Sequence, residues 1–211
     1  MSPESVLESL PLVAILRGLL PSRAVEVGET IFSAGIRSIE VPLNSPEPYV
    51  SIRKLTELFG DRCLCGAGTV LSVDDVARTY DVGGRLIVSP NCEPTVIAAA
   101  LKLGMVVMPG IATATEAFAA VQAGARHLKL FPAATYGAGH LKALRDVLPA
   151  DVRMYPVGGV GAADIAPWLA AGAAGFGFGS DIFKPAYPTA EVAERAHRIV
   201  SAWTAATAGT E

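Results

Sequence analysis

The sequence predicts an α/β protein folded as a (β/α)8 barrel, the TIM-barrel architecture, with a short capping helix at the N-terminus. Two observations support this prediction. An Ala-rich helical segment, a Gly and a short apolar run recur at intervals of about 20–25 residues, the length of one strand-plus-helix unit. Eight such apolar runs alternate with helical stretches, which favours a closed barrel over an open sheet.

The recurring unit is clearest where a Gly separates the helical segment from the apolar run. Gly fits the left-handed turn that ends a helix, and the run that follows is too short for another helix. The unit occurs four times in this form: SAGIRSIEV (33–41), KLGMVVMPG (102–110), QAGARHLKLF (122–131) and AAGAAGFGFG (170–179).

Strands are predicted near 12–16, 37–41, 63–67, 85–88, 105–108, 127–131, 153–157 and 174–178. A helix is predicted over 72–80, where Ser72 can cap and Asp75 lies in the first turn. Residues 2–9 predict a short extra helix that closes the bottom of the barrel. The chain has 211 residues and no break in composition, so one domain over 1–211 is expected.

Composition excludes several classes of function. The net charge is −3 without a basic run, so the electrostatic footprint of a nucleic-acid-binding protein is missing. The three cysteines favour a reduced cytosol over a secreted disulfide framework, and the three histidines do not cluster as metal ligands. The apolar stretch 10–20 follows Glu4 and Glu8 and contains Arg17, unlike a signal peptide. No stretch approaches a membrane span, and a cytoplasmic protein is expected.

Lys129 is the one lysine of five that interrupts a predicted strand. Side chains alternate along a strand, so Leu128 and Leu130 are expected to face the helices while Lys129 and Phe131 face the barrel interior. Burial lowers the pKa of an ammonium group and yields the neutral amine that attacks a ketone. The alternative is a structural ion pair with a carboxylate.

Glu40 is the expected acid–base partner of this lysine. In strand two, Ile39 and Val41 face one way and Ser38 and Glu40 the other, so the carboxylate should enter the barrel. An apolar interior raises the pKa of a carboxyl group and suits it to moving protons. Glu40 could instead only neutralise Lys129, and both roles can coexist.

Further polar residues lie at strand ends, where the chemistry of this fold is located. Arg17 ends strand one, Thr69 is the last residue of GAGT (66–69) after strand three, and Pro90 ends strand four. A guanidinium can hold a carboxylate with two hydrogen bonds and a hydroxyl can add a third. The alternatives are surface solvation for Arg17 and helix capping for Thr69.

A phosphate site is predicted at the ends of strands seven and eight. These strands end in PVGGVG (156–161) and FGFGSD (176–181), and backbone N–H groups in such loops can converge on an anion. The loops after strands seven and eight form the usual phosphate site of this fold. Glycines also serve in plain turns, which is the alternative.

Five motifs occur in order along nearly the whole chain: GAGTV (66–70), PGIATATEA (109–117), LKLFPA (128–133), VGGV (157–160) and FGSD (178–181). Together they resemble the bacterial 2-keto-3-deoxy-6-phosphogluconate/phosphogalactonate aldolases. The resemblance implies a class I aldolase, a carbon–carbon lyase without metal or other cofactor, that forms pyruvate and D-glyceraldehyde 3-phosphate, usually as a homotrimer. It implies the following roles: Schiff base on Lys129, proton shuttle on Glu40, pyruvate-carboxylate contacts around Arg17 and Thr69, and phosphate contacts at Gly158, Gly159, Gly179 and Ser180. Pro90, Phe131 and Val157 complete the expected substrate-binding set.

Two positions favour the galactonate branch of this family. Asn44 occupies a position at which the gluconate-type enzymes carry arginine, and Val157 one at which they tend to have threonine. Loss of that hydroxyl can discriminate between epimers at carbon 4 of the substrate. The predicted substrate is therefore 2-dehydro-3-deoxy-6-phospho-D-galactonate, the catabolic intermediate of galactonate. The alternatives are the gluconate epimer, both epimers, a phosphate-binding isomerase or synthase barrel, and a non-catalytic sugar-phosphate-binding barrel.

Overall fold

The structure is a computed structural model that describes residues 2–208, so Met1 and residues 209–211 of the expected domain lie outside it. In this range, short strands alternate with helices along the chain. The strands are β1 (Leu12–Ile15), β2 (Ser38–Pro42), β3 (Leu64–Gly68), β4 (Leu86–Val88), β5 (Val106–Met108), β6 (Gly110–Ile111), β7 (His127–Leu130), β8 (Arg153–Pro156) and β9 (Phe176–Phe178).

The α-helices precede and follow these strands, and short 3-10 helices cover Gly60–Arg62 and Ala162–Asp164. The α-helices are α1 (Pro3–Ser9), α2 (Ala24–Ser33), α3 (Pro48–Phe59), α4 (Val73–Asp81), α5 (Pro94–Lys102), α6 (Ala114–Gln122), α7 (Ala133–Tyr136), α8 (Ala138–Arg145), α9 (Ile165–Ala170) and α10 (Thr189–Thr207).

All strand pairs are parallel. One sheet has the order β5-β4-β3-β2-β1-β9 and the other β6-β7-β8. Only Pro109 separates β5 from β6, and its carbonyl accepts a hydrogen bond of 2.9 Å from the Lys129 N–H. Val157, just after β8, forms a parallel bridge with Gly177 of β9. The chain thus has an α/β fold whose parallel strands form a curved surface.

Each predicted strand is present to within two residues, with one difference. The run predicted at 105–108 is β5, and a further short strand that was not predicted, β6, follows it. Pro109 separates the two because it has no N–H to donate to a neighbouring strand. The helix predicted over 72–80 is α4, and Ser72 caps it as expected by accepting a hydrogen bond of 3.1 Å from the Asp75 N–H.

Alternation along the strands separates the buried apolar residues into two clusters. Residues such as Ile39, Leu128 and Phe176 pack outward with the helices in the larger cluster. The smaller cluster fills one end of the inner face and contains Val6, Leu7, Val13, Leu64, Leu86, Val88, Val106, Met108 and Tyr155. Val6 and Leu7 belong to α1, so the predicted N-terminal helix covers this end of the strands.

Polar contacts also hold α1 in place. Ser2 caps the helix by accepting a hydrogen bond from the Ser5 N–H. Glu4 contacts Nε2 of the buried His127 at 3.2 Å, and Glu8 pairs with Arg153 at 2.8 Å. Burial of Val6 and Leu7 stabilises this arrangement by about 1.5–3 kcal/mol per side chain. The helix therefore lies at the end of the inner face opposite to the carboxyl ends of the strands.

Within residues 2–208, none of the helices combines the length and apolar character required to cross a membrane.

Candidate active site

Lys129 lies on β7 with its side chain on the inner face of the strands. Its neighbours Leu128 and Leu130 pack outward in the larger cluster, as the alternation predicted. The lysine is only 5% exposed, and its Nζ lies 4.7 Å from the centre of the Phe131 ring. Burial lowers the pKa of Lys129, the Glu40 carboxylate opposes this shift, and the Arg17 charge adds to it. The site thereby favours a neutral amine.

Glu40 lies on β2 and is 1% exposed. Burial raises the pKa of this carboxyl group to about 7, although the positive charges of Lys129 and Arg17 act to lower it. Within the described residues, its Oε2 accepts no hydrogen bond. A buried carboxyl oxygen without a partner is unusual in a structural role and is suited to contact with a substrate.

Gly68, at the end of β3, provides the space that the Glu40 carboxyl group occupies. A Cβ atom on Gly68 would lie 1.7 Å from Oε2 and 2.3 Å from Cδ of Glu40. The register places Gly68 opposite Pro42, two residues beyond Glu40 on β2. The GAGT motif is visible in the sequence, but this role of its second glycine is not, since sequence alone does not give the distance between two strands.

Arg17 follows β1 and is exposed. Its Nη1 donates a hydrogen bond of 2.6 Å to Oδ1 of Asn44, which follows β2. Its charge acts on both Glu40 and Lys129. Arg17 therefore extends over the inner face instead of being solvated away from the fold.

Thr69 and Pro90 lie at neighbouring strand ends. Thr69 has a φ of +57°, a left-handed conformation that is uncommon for a residue with a branched side chain. Such strain concentrates at functional sites. Ser72 caps α4, so the alternative role of Thr69 as its cap is excluded. The backbone of Pro90 packs against Gly110, which is paired with Lys129.

Phe131 connects the lysine to the loop after β8. A Cβ on Gly158 would lie 3.1 Å from the Phe131 ring, so ring and glycine are in contact. Gly158 and the next residue, Gly159, have φ values of +94° and +74°, which glycine adopts at low cost. Val157 is on the same loop and only 4% exposed, and its Cγ2 would lie 2.8 Å from a Cβ on Gly177 of β9.

Gly159 and Ser180 line one open cleft of about 670 Å³, together with Lys184 and Arg195. Gly179 comes directly before Ser180 in the sequence, and a Cβ on Gly179 would meet no atom within 4 Å. The loops after β8 and β9 therefore meet at one cleft, which Gly159 and Ser180 line and Gly158 and Gly179 do not. Lys184 lies here, exposed and beside the Tyr187 ring, and not with Lys129.

The predicted site residues thus lie on one side of the fold, at the carboxyl ends of the strands. The buried Glu40 and Lys129 interact through charge with each other and with the exposed Arg17. Phe131 links Lys129 to the glycine loop after β8. Within residues 2–208, the side chains of Thr69 and Pro90 make no hydrogen bond to this group. A lysine whose pKa is lowered by burial, beside a carboxyl group with a pKa of about 7, can form and resolve a Schiff base.

Comparison with known proteins agrees with this chemistry. The family pattern described as "Aldolase: KDPG and KHG aldolase" matches residues 4–196. The probable 2-dehydro-3-deoxy-6-phosphogalactonate aldolase of Rhizobium meliloti (strain 1021) is 47% identical over 199 residues, 94% of each chain. The 2-dehydro-3-deoxy-6-phosphogalactonate aldolase of Escherichia coli (strain K12) is 44% identical over 194 residues, 92% of this chain and 95% of that relative. A solved structure described as "Native KDPGal structure" matches with a TM-score of 0.93 at 43% identity, over 94% of this chain and 97% of the other.

Proposed function

The chain belongs to the KDPG and KHG aldolase family, whose members are carbon–carbon lyases, and we propose that it cleaves 2-dehydro-3-deoxy-6-phospho-D-galactonate to pyruvate and D-glyceraldehyde 3-phosphate. The observation that carries this proposal is the buried Lys129 beside the buried Glu40 on the inner face of the strands. Relatives bearing this galactonate name at 44–47% identity support the choice of substrate.

The reaction begins at the Lys129 amine. Its neutral Nζ attacks carbon 2 of the keto acid, and loss of water from the carbinolamine gives an iminium ion. The iminium nitrogen then accepts the electron pair of the bond between carbons 3 and 4. Burial of Lys129 favours this step, because it favours the neutral amine over the ammonium ion.

Glu40 moves the protons of this reaction. As a carboxylate it takes the proton of the carbon-4 hydroxyl group, directly or through a water, while the bond between carbons 3 and 4 breaks. It later returns a proton to carbon 3 of the enamine, and hydrolysis releases pyruvate from Lys129. A pKa of about 7 allows both transfers near neutral pH.

The remaining residues bind the two charged ends of the substrate. Arg17 and Thr69 receive the carboxylate, with Pro90 and Phe131 beside the keto group. Gly158, Gly159, Gly179 and Ser180 receive the phosphate, and Val157 contacts the chain near carbon 4. The convergence of the two glycine-containing loops on one cleft supports this assignment. No metal or other cofactor enters the proposed scheme.

We further propose that the strands close as a (β/α)8 barrel in one domain, with β5 and β6 acting as one interrupted strand. The bridge between Val157 and Gly177 supports closure, because it joins the free edges of the two sheets. From the family resemblance we also expect a homotrimer in the cytoplasm. Exposed apolar side chains after β1 and after β3, Leu20, Leu71 and Val73, support a contact between subunits. Light scattering of the purified protein measures the oligomeric state.

The experiment is pyruvate release from the galactonate substrate and from its gluconate epimer, in parallel and with excess chelator. Faster release from the galactonate substrate supports the proposal. An equal or reversed preference leaves an aldolase of the gluconate or dual type. Loss of activity with chelator, restored by a divalent ion, contradicts the metal-free scheme. If neither substrate releases pyruvate, the protein is instead a sugar-phosphate-binding barrel or another phosphate-binding enzyme.

A further inference from the structure

The guanidinium of Arg17 is held by one partner outside the reacting pair. It is exposed, yet its Nη1 lies 2.6 Å from Oδ1 of Asn44. An arginine side chain has many rotamers and loses entropy when it is ordered, so an exposed arginine without a partner samples many positions. The Asn44 bond selects one of these positions before any substrate binds.

The backbone around Asn44 is itself fixed. Ser45, which is 7% exposed, accepts a hydrogen bond of 2.9 Å from the Gly18 N–H through its hydroxyl oxygen. Its own N–H donates to the Pro42 carbonyl at 2.9 Å and closes a turn around Asn44. Consecutive residues of the loop after β1 are thus bonded to consecutive residues of the loop after β2. The backbone that carries the exposed Asn44 side chain is therefore held next to the backbone that carries Arg17.

An amide is also the right kind of acceptor for this purpose. Asn44 orients the guanidinium without cancelling its charge, whereas a carboxylate would form a salt bridge and weaken the attraction for an anionic substrate. One guanidinium nitrogen is used, so donors remain for a carboxylate. The charge of Arg17 already acts on Glu40 and Lys129, which places it near the amine that would carry the keto acid.

We propose that Asn44 is a positioning residue that holds Arg17 ready to bind the carboxylate of a 2-keto acid attached to Lys129. This inference rests on the proposed aldolase function. Asn44 acts through Arg17, so the two residues form one unit. The effects of removing them should therefore not multiply, as they would for residues that bind a substrate independently.

The test compares N44A, R17A and the N44A/R17A double variant with the wild-type protein. Q122A is the matched control, because it removes an exposed amide at the C-terminal end of α6. Two quantities are measured: KM and kcat for keto-acid cleavage, and the pyruvate concentration that half-saturates borohydride inactivation. Pyruvate carries the carboxylate but no phosphate, so the second quantity isolates this end of the site.

The N44A change should raise both KM and the half-saturating pyruvate concentration about tenfold, the effect of one lost charge-assisted hydrogen bond, with kcat nearly unchanged. R17A should have a larger effect, the double variant should match R17A, and Q122A should match wild type. An unchanged KM in N44A, or a double variant whose effect is the product of the single effects, overturns the proposal. A wild-type protein that neither cleaves the keto acid nor traps pyruvate contradicts the proposed function itself.

Discussion

Gly68 lies so close to Glu40 that the carboxyl group occupies the space where a side chain at position 68 would be. The distance from an added Cβ to Oε2 would be 1.7 Å. Gly68 thereby allows a carboxyl group to lie fully buried among parallel strands, where its pKa is raised to about 7. A glycine on one strand thus determines where the acid–base group of the neighbouring strand can lie.

G68A should reduce kcat by at least about tenfold, because the added methyl group displaces the carboxyl group from its position, and correctly placed acid–base groups contribute about 10²–10⁴ in rate. Overpacking should also destabilise the fold by about 1–3 kcal/mol. Steady-state kinetics and urea denaturation measure the two effects.

Two controls separate these effects from a general effect of the substitution. G139A places the same methyl group on α8, where it would meet no atom within 4 Å, and should leave activity unchanged. In an E40A background the space is vacant, so G68A should add little further destabilisation. A G68A enzyme with wild-type kcat would show that the position of the Glu40 carboxyl group does not matter for turnover.

The pH dependence of kcat/KM should report the ionisation of Glu40. The carboxylate form accepts the substrate proton, so kcat/KM should fall as the pH decreases below about 7. E40Q cannot ionise and should lose about 10²–10⁴ in rate together with this acidic limb. A rate profile from pH 5 to 9 of both proteins measures this, and an identical acidic limb in E40Q would assign it to another group.

Glu40 should affect stability with the opposite pH dependence: activity should fall as the pH decreases, whereas stability should fall as the pH rises. The pKa of Glu40 is higher in the folded protein than in the unfolded chain, so the folded state binds the proton more tightly. Its contribution to stability is therefore present at low pH and is lost as the pH rises from about 4.5 to about 7, by about 3 kcal/mol. E40Q should gain stability relative to wild type across this window. Denaturation at equal protein concentration and several pH values measures the difference, and a constant difference would contradict the assignment.

V157T should shift the preference between the two epimers toward the gluconate substrate by about tenfold, because a buried hydroxyl group favours a substrate that can bond to it. The readout is the ratio of kcat/KM for the two substrates. V96T makes the same chemical change at a buried valine of α5, which packs in the larger cluster away from the site, and it should leave the ratio unchanged. An unchanged ratio in V157T would show that Val157 does not determine the preference between the two epimers.

Much of this arrangement follows from sequence periodicity. The period of two placed Lys129 and Glu40 opposite to their apolar neighbours, and the outward packing of Leu128 and Ile39 confirms that alternation. The recurring Gly after helical segments located the strands to within two residues. The alternation along a strand and the Gly after a helix each involve only neighbouring residues, so they can be read from a single sequence.

Contacts between distant segments could not be predicted in the same way. The pairing of Arg17 with Asn44 depends on the geometry of two loops, and the sequence indicated Asn44 only as a marker of one family branch. The fit of Gly68 against Glu40 depends on the register of β2 and β3. A proline at position 109 predicts the end of a strand, but the sequence does not show that pairing resumes after it as β6.

The central claim is that Lys129 carries the Schiff base, and the most direct measurement is trapping with pyruvate and borohydride followed by peptide mass spectrometry. The account predicts that the wild-type protein and K184A both acquire a carboxyethyl group on the peptide containing Lys129. K129A should acquire none and should not turn over the substrate. A label on Lys184, or a K129A variant that still incorporates pyruvate and releases it from the sugar acid, would contradict the account.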